Sequence, residues 1–302
     1  MASTESLFPF RRRAGLRLTF YGAWTPVLFF IFVPAAFTVV LSFTDIRRAP
    51  GVPWQWVGLD NYFRFFNPAR LGTSLTVIRN TLVYAGLTVL IGCFVSLGIA
   101  VLLNGRIRGK TVARALVFLP TILGVTVVGL IWSMIFSVYG PVQEMLSWFG
   151  VSSNFFGEPR LALYLVIFVV IWASLGVTTI IFLAGLQAIP AELYEVAAVD
   201  GATAPQVFRH ITWPLLAPTF TTTMLLNVIA GLQGYALIYV LLGTSRPYAE
   251  TLGLAVFSAG FGGSSTGTTQ GFAAAVAMIQ FVIVGVVSIA VLLFLKRREA
   301  KL

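Results

Sequence analysis

The chain has 302 residues, 58% of them hydrophobic and only 10% charged, where a soluble globular domain carries about 25% charged residues. Its mean hydropathy of +0.92 excludes a water-soluble fold of this size, because that much apolar surface needs a bilayer as part of its solvent. The net charge of +10 does not point to nucleic acid: the basic residues sit in short clusters between long apolar runs, the pattern that orients a membrane protein.

Six runs approach the roughly 20 apolar residues a spanning helix needs: 20–43, 80–103, 115–136, 161–186, 218–243 and 271–295. The first exceeds the roughly 7–15 residues of a signal-peptide core and reads as a retained helix, bent at Pro26 and Pro34. After it, residues 44–79 carry turn signals at Ala49-Pro50-Gly51 and Val52-Pro53. The amphipathic stretch Asn61-Tyr62-Phe63-Arg64-Phe65-Phe66 follows, with aromatics suited to a membrane interface or a partner surface. The short loop after the second run contains Gly105-Arg106-Ile107-Arg108-Gly109-Lys110-Thr111. A phosphate loop needs four residues between its glycines and a strand before it; this loop has three and no strand, and reads as a positive-inside loop. Near the other end, residues 244–270 include Gly262-Gly263-Ser264-Ser265-Thr266-Gly267-Thr268-Thr269, a flexible turn by composition.

Six spans put both termini on one side. With that side cytoplasmic, 13 of the 20 Lys and Arg lie inside, at Arg11, Arg12, Arg13, Arg17, Arg106, Arg108, Lys110, Arg114, Arg209, Lys296, Arg297, Arg298 and Lys301. Arg47, Arg48, Arg64, Arg70, Arg79, Arg160 and Arg246 lie outside. All ten acidic residues fall outside the spans or at their edges. Proton pumps keep ionisable relays in the membrane, so proton coupling is disfavoured, sodium coupling through backbone carbonyls stays open, and energy for uphill transport has to enter from another subunit. A single cysteine, Cys93, and a single histidine, His210, allow no intramolecular disulfide and no metal cluster. No nucleophile–base constellation is visible, so no catalytic residue is assigned.

The longest cytoplasmic loop, about 187–217, reads as two short helices. Pro190 starts the first and Gly201 ends it in the left-handed conformation. Thr203 caps the second, Pro205 fits its first turn, and Pro214 ends it. Here the sequence resembles the permease subunits of binding-protein-dependent ABC importers. Their cytoplasmic signature is Glu-Ala-Ala, three residues, Gly, nine residues, Ile, one residue, Leu-Pro. The chain has Glu195-Val196-Ala197, Gly201, Ile211 and Trp213-Pro214 at that spacing, with Asp200 also similar. Val196 and Trp213 depart from the pattern but stay apolar.

The resemblance is to the carbohydrate type, similar to maltose and glycerol-phosphate importers. Val57-Gly58-Leu59-Asp60-Asn61-Tyr62, Asn80-Thr81-Leu82, Arg114-Ala115-Leu116 with Phe118-Leu119-Pro120, and Gly271-Phe272-Ala273-Ala274-Ala275 carry it. Gly243-Thr244-Ser245-Arg246-Pro247 stands where the family often has Thr-Gly-Gly-Gly-Pro, which leaves the substrate subgroup open.

The resemblance implies an all-α integral membrane fold of about six transmembrane helices, both termini cytoplasmic, with a cytoplasmic coupling-helix loop. Residues 1–79 would form an N-terminal helix and external loop, 80–295 the core permease domain and 296–302 a basic cytoplasmic tail. It implies a sugar substrate and no enzyme activity, metal or cofactor on this chain, with ATP and Mg on partner subunits. The partners would be a second, paralogous permease, two ATP-binding subunits and an extracytoplasmic solute-binding protein. The helices around Gly201 would dock in a cleft on the ATPase, with Glu195 and Asp200 holding the loop by hydrogen bonds or ion pairs and Ala197, Ala198 and Gly201 allowing close approach. Val207 and Phe208 would be apolar anchors, with Ile211 and Pro214 completing the coupling segment. The runner-up is a stand-alone secondary transporter or channel.

For the solute path the fifth span is the best equipped. At about 100° per residue, Asn227, Gly231, Gly234 and Ile238 share a stripe, Tyr235 and Tyr239 flank it, and Gln233 falls nearly opposite Tyr235. Two readings stand side by side. The glycines and tyrosines serve helix packing, or the tyrosines stack on a sugar while Asn227 bonds a hydroxyl, helped by Trp132 or Ser133, the partner permease holding the rest. The topology has a direct check. Single-cysteine labelling is expected to reach positions near 50 and 265 from outside, and positions near 108 and 205 only from inside. External labelling anywhere in 187–214 overturns it.

Overall fold

Inside lipid each backbone N–H and C=O has to be satisfied within the protein, and a helix does so within one segment. The apolar runs accordingly fold as helices in a computed structural model that describes residues 10–47, 53–105, 108–244, 246–262 and 269–299, with 10–21, 23 and 70 described by backbone alone. Thirteen α-helices form among these residues: α1 Phe10–Leu41, α2 Asp60–Phe65, α3 Pro68–Asn104, α4 Lys110–Ile122, α5 Val125–Ile135, α6 Pro141–Ser147, α7 Ala162–Gln187, α8 Ala191–Val199, α9 Ala204–Val207, α10 Trp213–Gln233, α11 Ala236–Leu242, α12 Leu252–Phe261 and α13 Gln270–Glu299. The only bridge among the described residues pairs Thr44 with Trp56. The sequence-predicted turns at 50–52 and 263–268 lie outside the described residues, as do Arg48, Arg106, Ser245 and Lys301. The side chains of Arg11, Arg12, Arg13, Arg17 and Arg70 do too.

Five helices are long and apolar enough to cross a membrane, or six if α4 and α5 together count as one span. α3 and α7 pack along each other, α10 lies against both, and α13 lies between α10 and α12 with α1 outside it. One core joins Val89, Cys93 and Leu97 of α3, Phe182 and Leu186 of α7, Leu216 and Phe220 of α10, and Leu295 of α13. A second joins Tyr84, Val128, Val166, Ile238 and Leu254. The C-terminal half of α1 is bare, with Phe29, Phe30, Phe32 and Phe37 all exposed, as lipid-facing residues are.

Four sequence expectations need correction. The third span is not one helix: α4 and α5 meet at 101°. Leu123 and Gly124 are extended there, just beyond Pro120, which lacks an N–H for the helix ladder. The fifth span is likewise broken, because Gly234 is extended (φ −61°, ψ 125°) and Tyr235 leaves the helical region (φ −143°, ψ −30°). A Cβ on Gly234 would stand 2.6 Å from the Tyr84 ring, so α3 crowds the chain at that point. The second span begins at Pro68, where the Asn67 side chain accepts the Ala69 N–H at 2.9 Å; the boundary at 79/80 therefore falls inside a single helix. And the segment 244–270, read as a loop, contains α12, a ten-residue apolar helix too short to read as a span.

Several of the residues that carried the resemblance are structural clamps. Asn61 is buried and its amide donates to the carbonyls of Ser42 (3.0 Å) and Thr44 (2.8 Å), closing the open end of α1. The Tyr62 hydroxyl donates to Ser42 Oγ at 2.7 Å, and Phe43 stacks on Trp56. Gly271 opens α13 directly against the Thr44 carbonyl, where no side chain fits. Asn80 donates to the carbonyls of Tyr248 (2.9 Å) and Glu250 (3.1 Å), and Thr81 Oγ1 accepts the Leu252 N–H at 2.8 Å. Asn61→Ala leaves two buried carbonyls open at a cost of about 1–3 kcal/mol. A thermal melt in detergent should show a lowered midpoint for that variant and none for Leu59→Ala, whose side chain is exposed.

Candidate functional site

The loop 188–212 is built by local sequence chemistry. Pro190 sits at the N-cap of α8, one position before the first helical residue. α8 ends in a complete glycine cap. The Ala202 N–H donates to the Ala197 carbonyl at 2.9 Å and the Gly201 N–H to the Ala198 carbonyl at 3.2 Å, with Gly201 left-handed at φ +69°. Thr203, extended at φ −73° and ψ 157°, occupies the next N-cap, and its N–H donates to Gln206 Oε1 at 2.8 Å.

The second loop helix does not stop at Pro214. α9 passes through a π-turn, Phe208–Thr212, straight into α10. A proline removes an N–H and crowds the carbonyl four residues back; the wider π-turn comes just before Pro214. The Tyr194 hydroxyl lies 3.2 Å from Thr212 Oγ1, tying α8 to that turn.

The loop's outer surface is largely open. Glu195, Ala198 and Asp200 are exposed, Val207 and Ile211 half-buried, and Ala197 buried. Neither Glu195 nor Asp200 has a side-chain partner among the described residues. Leu193, Val196, Asp200, Val207, His210 and Ile211 are among the residues around a cleft of about 300 Å³ between α8 and the α9–π-turn segment. Phe208, at the edge of exposure, lies 6.3 Å from the Trp213 ring.

A second feature stands at the far end of α10. Where α10 breaks, Gln233 and Tyr235 line one cavity of about 390 Å³ with Gly253, Phe257 and Phe261 of α12 and Gln280 and Phe281 of α13. The expected placement of Gln233 opposite Tyr235 is therefore wrong: that spacing assumes an unbroken helix, and the break at Gly234 turns both residues to one space. The same break ends the stripe shared by Asn227, Gly231, Gly234 and Ile238. Gly231 packs on Ala85, Ile238 is fully buried, and Asn227 donates to its own helix at the Thr223 carbonyl, 2.9 Å. Tyr235 stacks on Phe257 at 5.3 Å and Tyr239 packs against the same ring tilted, at 4.7 Å; the two remain 41% and 42% exposed.

Trp132 and Ser133 are elsewhere. Trp132 joins Phe136, Phe168 and Trp172 in an aromatic cluster, and the Ser133 hydroxyl donates to the Leu130 carbonyl at 2.8 Å. Gln280, Phe257 and Gly253 were missed by sequence reasoning; an amide within an otherwise apolar last span was the available signal. Next to α12, burial pushes the Glu250 carboxyl above its ordinary range, opposed by a hydrogen bond from the Ser258 hydroxyl at 3.3 Å. Arg246, where the sequence departs from the family pattern, donates to the Phe156 carbonyl, and Tyr248 donates to the same oxygen at 3.2 Å.

Residues 89–300 match the family model described as binding-protein-dependent transport system inner membrane component. The chain is 34% identical over 230 residues to the trehalose/maltose transport system permease protein MalF of Thermococcus litoralis, covering 75% of this chain and 76% of that one. It is 32% identical over 280 residues to the multiple sugar-binding transport system permease protein MsmF of Streptococcus mutans, covering 89% and 93%. A bacterial ABC transporter involved in import of the acidic polysaccharide alginate has a chain of the same fold, with TM-score 0.77 and 24% identity over 96% of this chain and 99% of that one.

The left-handed Gly201 separates backbone from contact effects, because no atom beyond its immediate chain neighbours lies within 4 Å of the position a Cβ would take. Gly201→Ala is expected to cost about 1 kcal/mol, while Gly201→Asn, which tolerates that conformation, stays within a few tenths. Thermal unfolding of both variants in detergent checks this; an equal loss for the two overturns it.

Proposed function

The chain belongs to the binding-protein-dependent transport system inner membrane component family, and from that membership we propose that it is the multi-pass permease subunit of an ABC importer for a sugar or sugar derivative. The observation that carries this reading is the loop at 188–212. It presents a capped two-helix hairpin with an open surface, and it continues without interruption into α10, whose other end borders the cavity. A motion delivered to the hairpin reaches the cavity through one helix.

The energy comes from two separate ATP-binding subunits that hold ATP and Mg. Glu195, Asp200 and the cleft beside them take the ATPase, with Ala197, Ala198 and Gly201 allowing close approach. Val207, Phe208, Ile211 and Pro214 form the apolar side of the contact. An extracytoplasmic binding protein delivers the solute, and a second, paralogous permease faces this one across the path. Sugar as the solute class rests on relatives described as transporting trehalose/maltose and multiple sugars. It is supported by the cavity's own chemistry, in which aromatic faces suited to pyranose stacking stand beside two amides. Tyr235 and Gln233 are its contact residues. Tyr239 backs Phe257, while Asn227, Trp132 and Ser133 act on helix packing from their present positions.

The test is uptake by the complete reconstituted complex against a sugar panel, with binding protein and ATP. Wild type is expected to take up at least one sugar only with ATP. Tyr235→Ala and Gln233→Ala are expected to lower that uptake about tenfold with assembly and basal ATP hydrolysis retained. Uptake independent of ATP, or none of any sugar, overturns the reading; unchanged uptake in both variants moves the site elsewhere.

A further inference from the structure

A helix that carries a driving motion has to be held at more than one point, or the motion is lost in tilting. α13 meets α10 at two separated points. At the foot, Leu295 is buried in the core beside Leu216. The Arg298 guanidinium lies 5.6 Å over the centre of the Trp213 ring, and the Thr221 hydroxyl donates to the Glu299 carboxylate at 3.1 Å. At the head, the Gln280 amide donates to the Leu232 carbonyl at 2.9 Å. About 28 Å of helix separates Gln280 from Glu299, close to the thickness of a bilayer's hydrocarbon core.

Trp213 is also where the loop signature is broken by a larger ring. It follows the π-turn directly and contacts Phe208 on the loop side (6.3 Å) and Phe220 along α10 (5.2 Å). The ring that receives Arg298 is therefore the first residue of α10 to feel a movement of the loop. Both helices also contribute walls to the same cavity, through Gln233 and Gln280.

We propose that α13 is a strut clasped to α10 at two separated points, so that a displacement of the α8–α9 hairpin moves α10 and α13 as one lever and reshapes the cavity from two sides at once. Arg298, Glu299, Thr221 and Gln280 are positioning residues in this device. The device rests on the reading of the chain as an ATPase-driven permease, and goes beyond it in naming what carries the motion.

Thr221→Val combined with Arg298→Gln, tested in the complete reconstituted complex, separates a lever from mere packing. The expected result is at least fivefold less sugar taken up per ATP hydrolysed, with complex yield and ATP hydrolysis within twofold of wild type. An unchanged ratio, or a parallel fall of yield and hydrolysis that leaves the ratio intact, overturns the strut. Thr221→Cys with Glu299→Cys, in a Cys93→Ala background, gives a second measurement that does not depend on losing contacts. Bridged by a short bifunctional thiosulfonate, this protein is expected to keep uptake within twofold of its unbridged form. A tenfold loss on bridging, reversed by reductant, means that α10 and α13 part during transport and overturns the strut. Absence of ATP-driven uptake in wild type overturns the parent reading and the strut with it, and is distinguishable from failure of either variant alone.

Discussion

A carbonyl left open inside a bilayer costs several kcal/mol, and a break in a spanning helix opens several at once. At the end of α10 the deficit is met from outside the helix: Gln280 of α13 supplies the Leu232 carbonyl, and the Thr251 hydroxyl at the start of α12 supplies that of Gly234 at 3.3 Å. At the α4–α5 elbow the Leu123 N–H turns back to the Pro120 carbonyl at 3.3 Å. The cavity exists because α10 breaks, and the break is tolerable because α12 and α13 carry donors to the right places. Gly253 completes the arrangement, since any Cβ there would come within 2.9 Å of the Gln233 carbonyl.

That dependence explains what was legible in the sequence. Composition and run length identify the spans, because burial in lipid acts on every residue of a run. The glycine cap at Gly201 was legible too, since it follows from local backbone sterics between two short helical patterns. The breaks were not. Gly231 and Gly234 lie in the same apolar run and look alike in sequence. One packs on Ala85 and stays helical, and the other is crowded by the Tyr84 ring and becomes extended. Only α3's position distinguishes them. Pro214 misled for a related reason: proline ends most helices, yet a π-turn ahead of it leaves the path continuous. Asn61 was read within an aromatic surface stretch, and its amide instead closes the end of α1 across a long sequence separation.

The parts of the candidate site lie at opposite ends of one helix. α10 is about 31 Å long, with the hairpin cleft at its start and the cavity at its finish. Around it the packing is uneven: α3 and α7 lie against it, while the half-spans α5 and α11 meet through Gly129, which has no room for a side chain against Val240. The rigid contacts sit where helices run together, and the extended residues sit between them.

The π-turn at Phe208–Thr212 sets an angle. Each α-helical residue advances about 100° around the axis, and a π-turn holds one residue more than the turn it replaces. The nine residues between Gly201 and Ile211 thus meter the azimuth at which α8 points relative to the faces of α10. Val196 and Trp213 alter chemistry while leaving that azimuth untouched. Removing one residue between 208 and 212 would let the segment close into ordinary α-helix and swing the hairpin by about 100°, with each contact residue intact and aimed the wrong way.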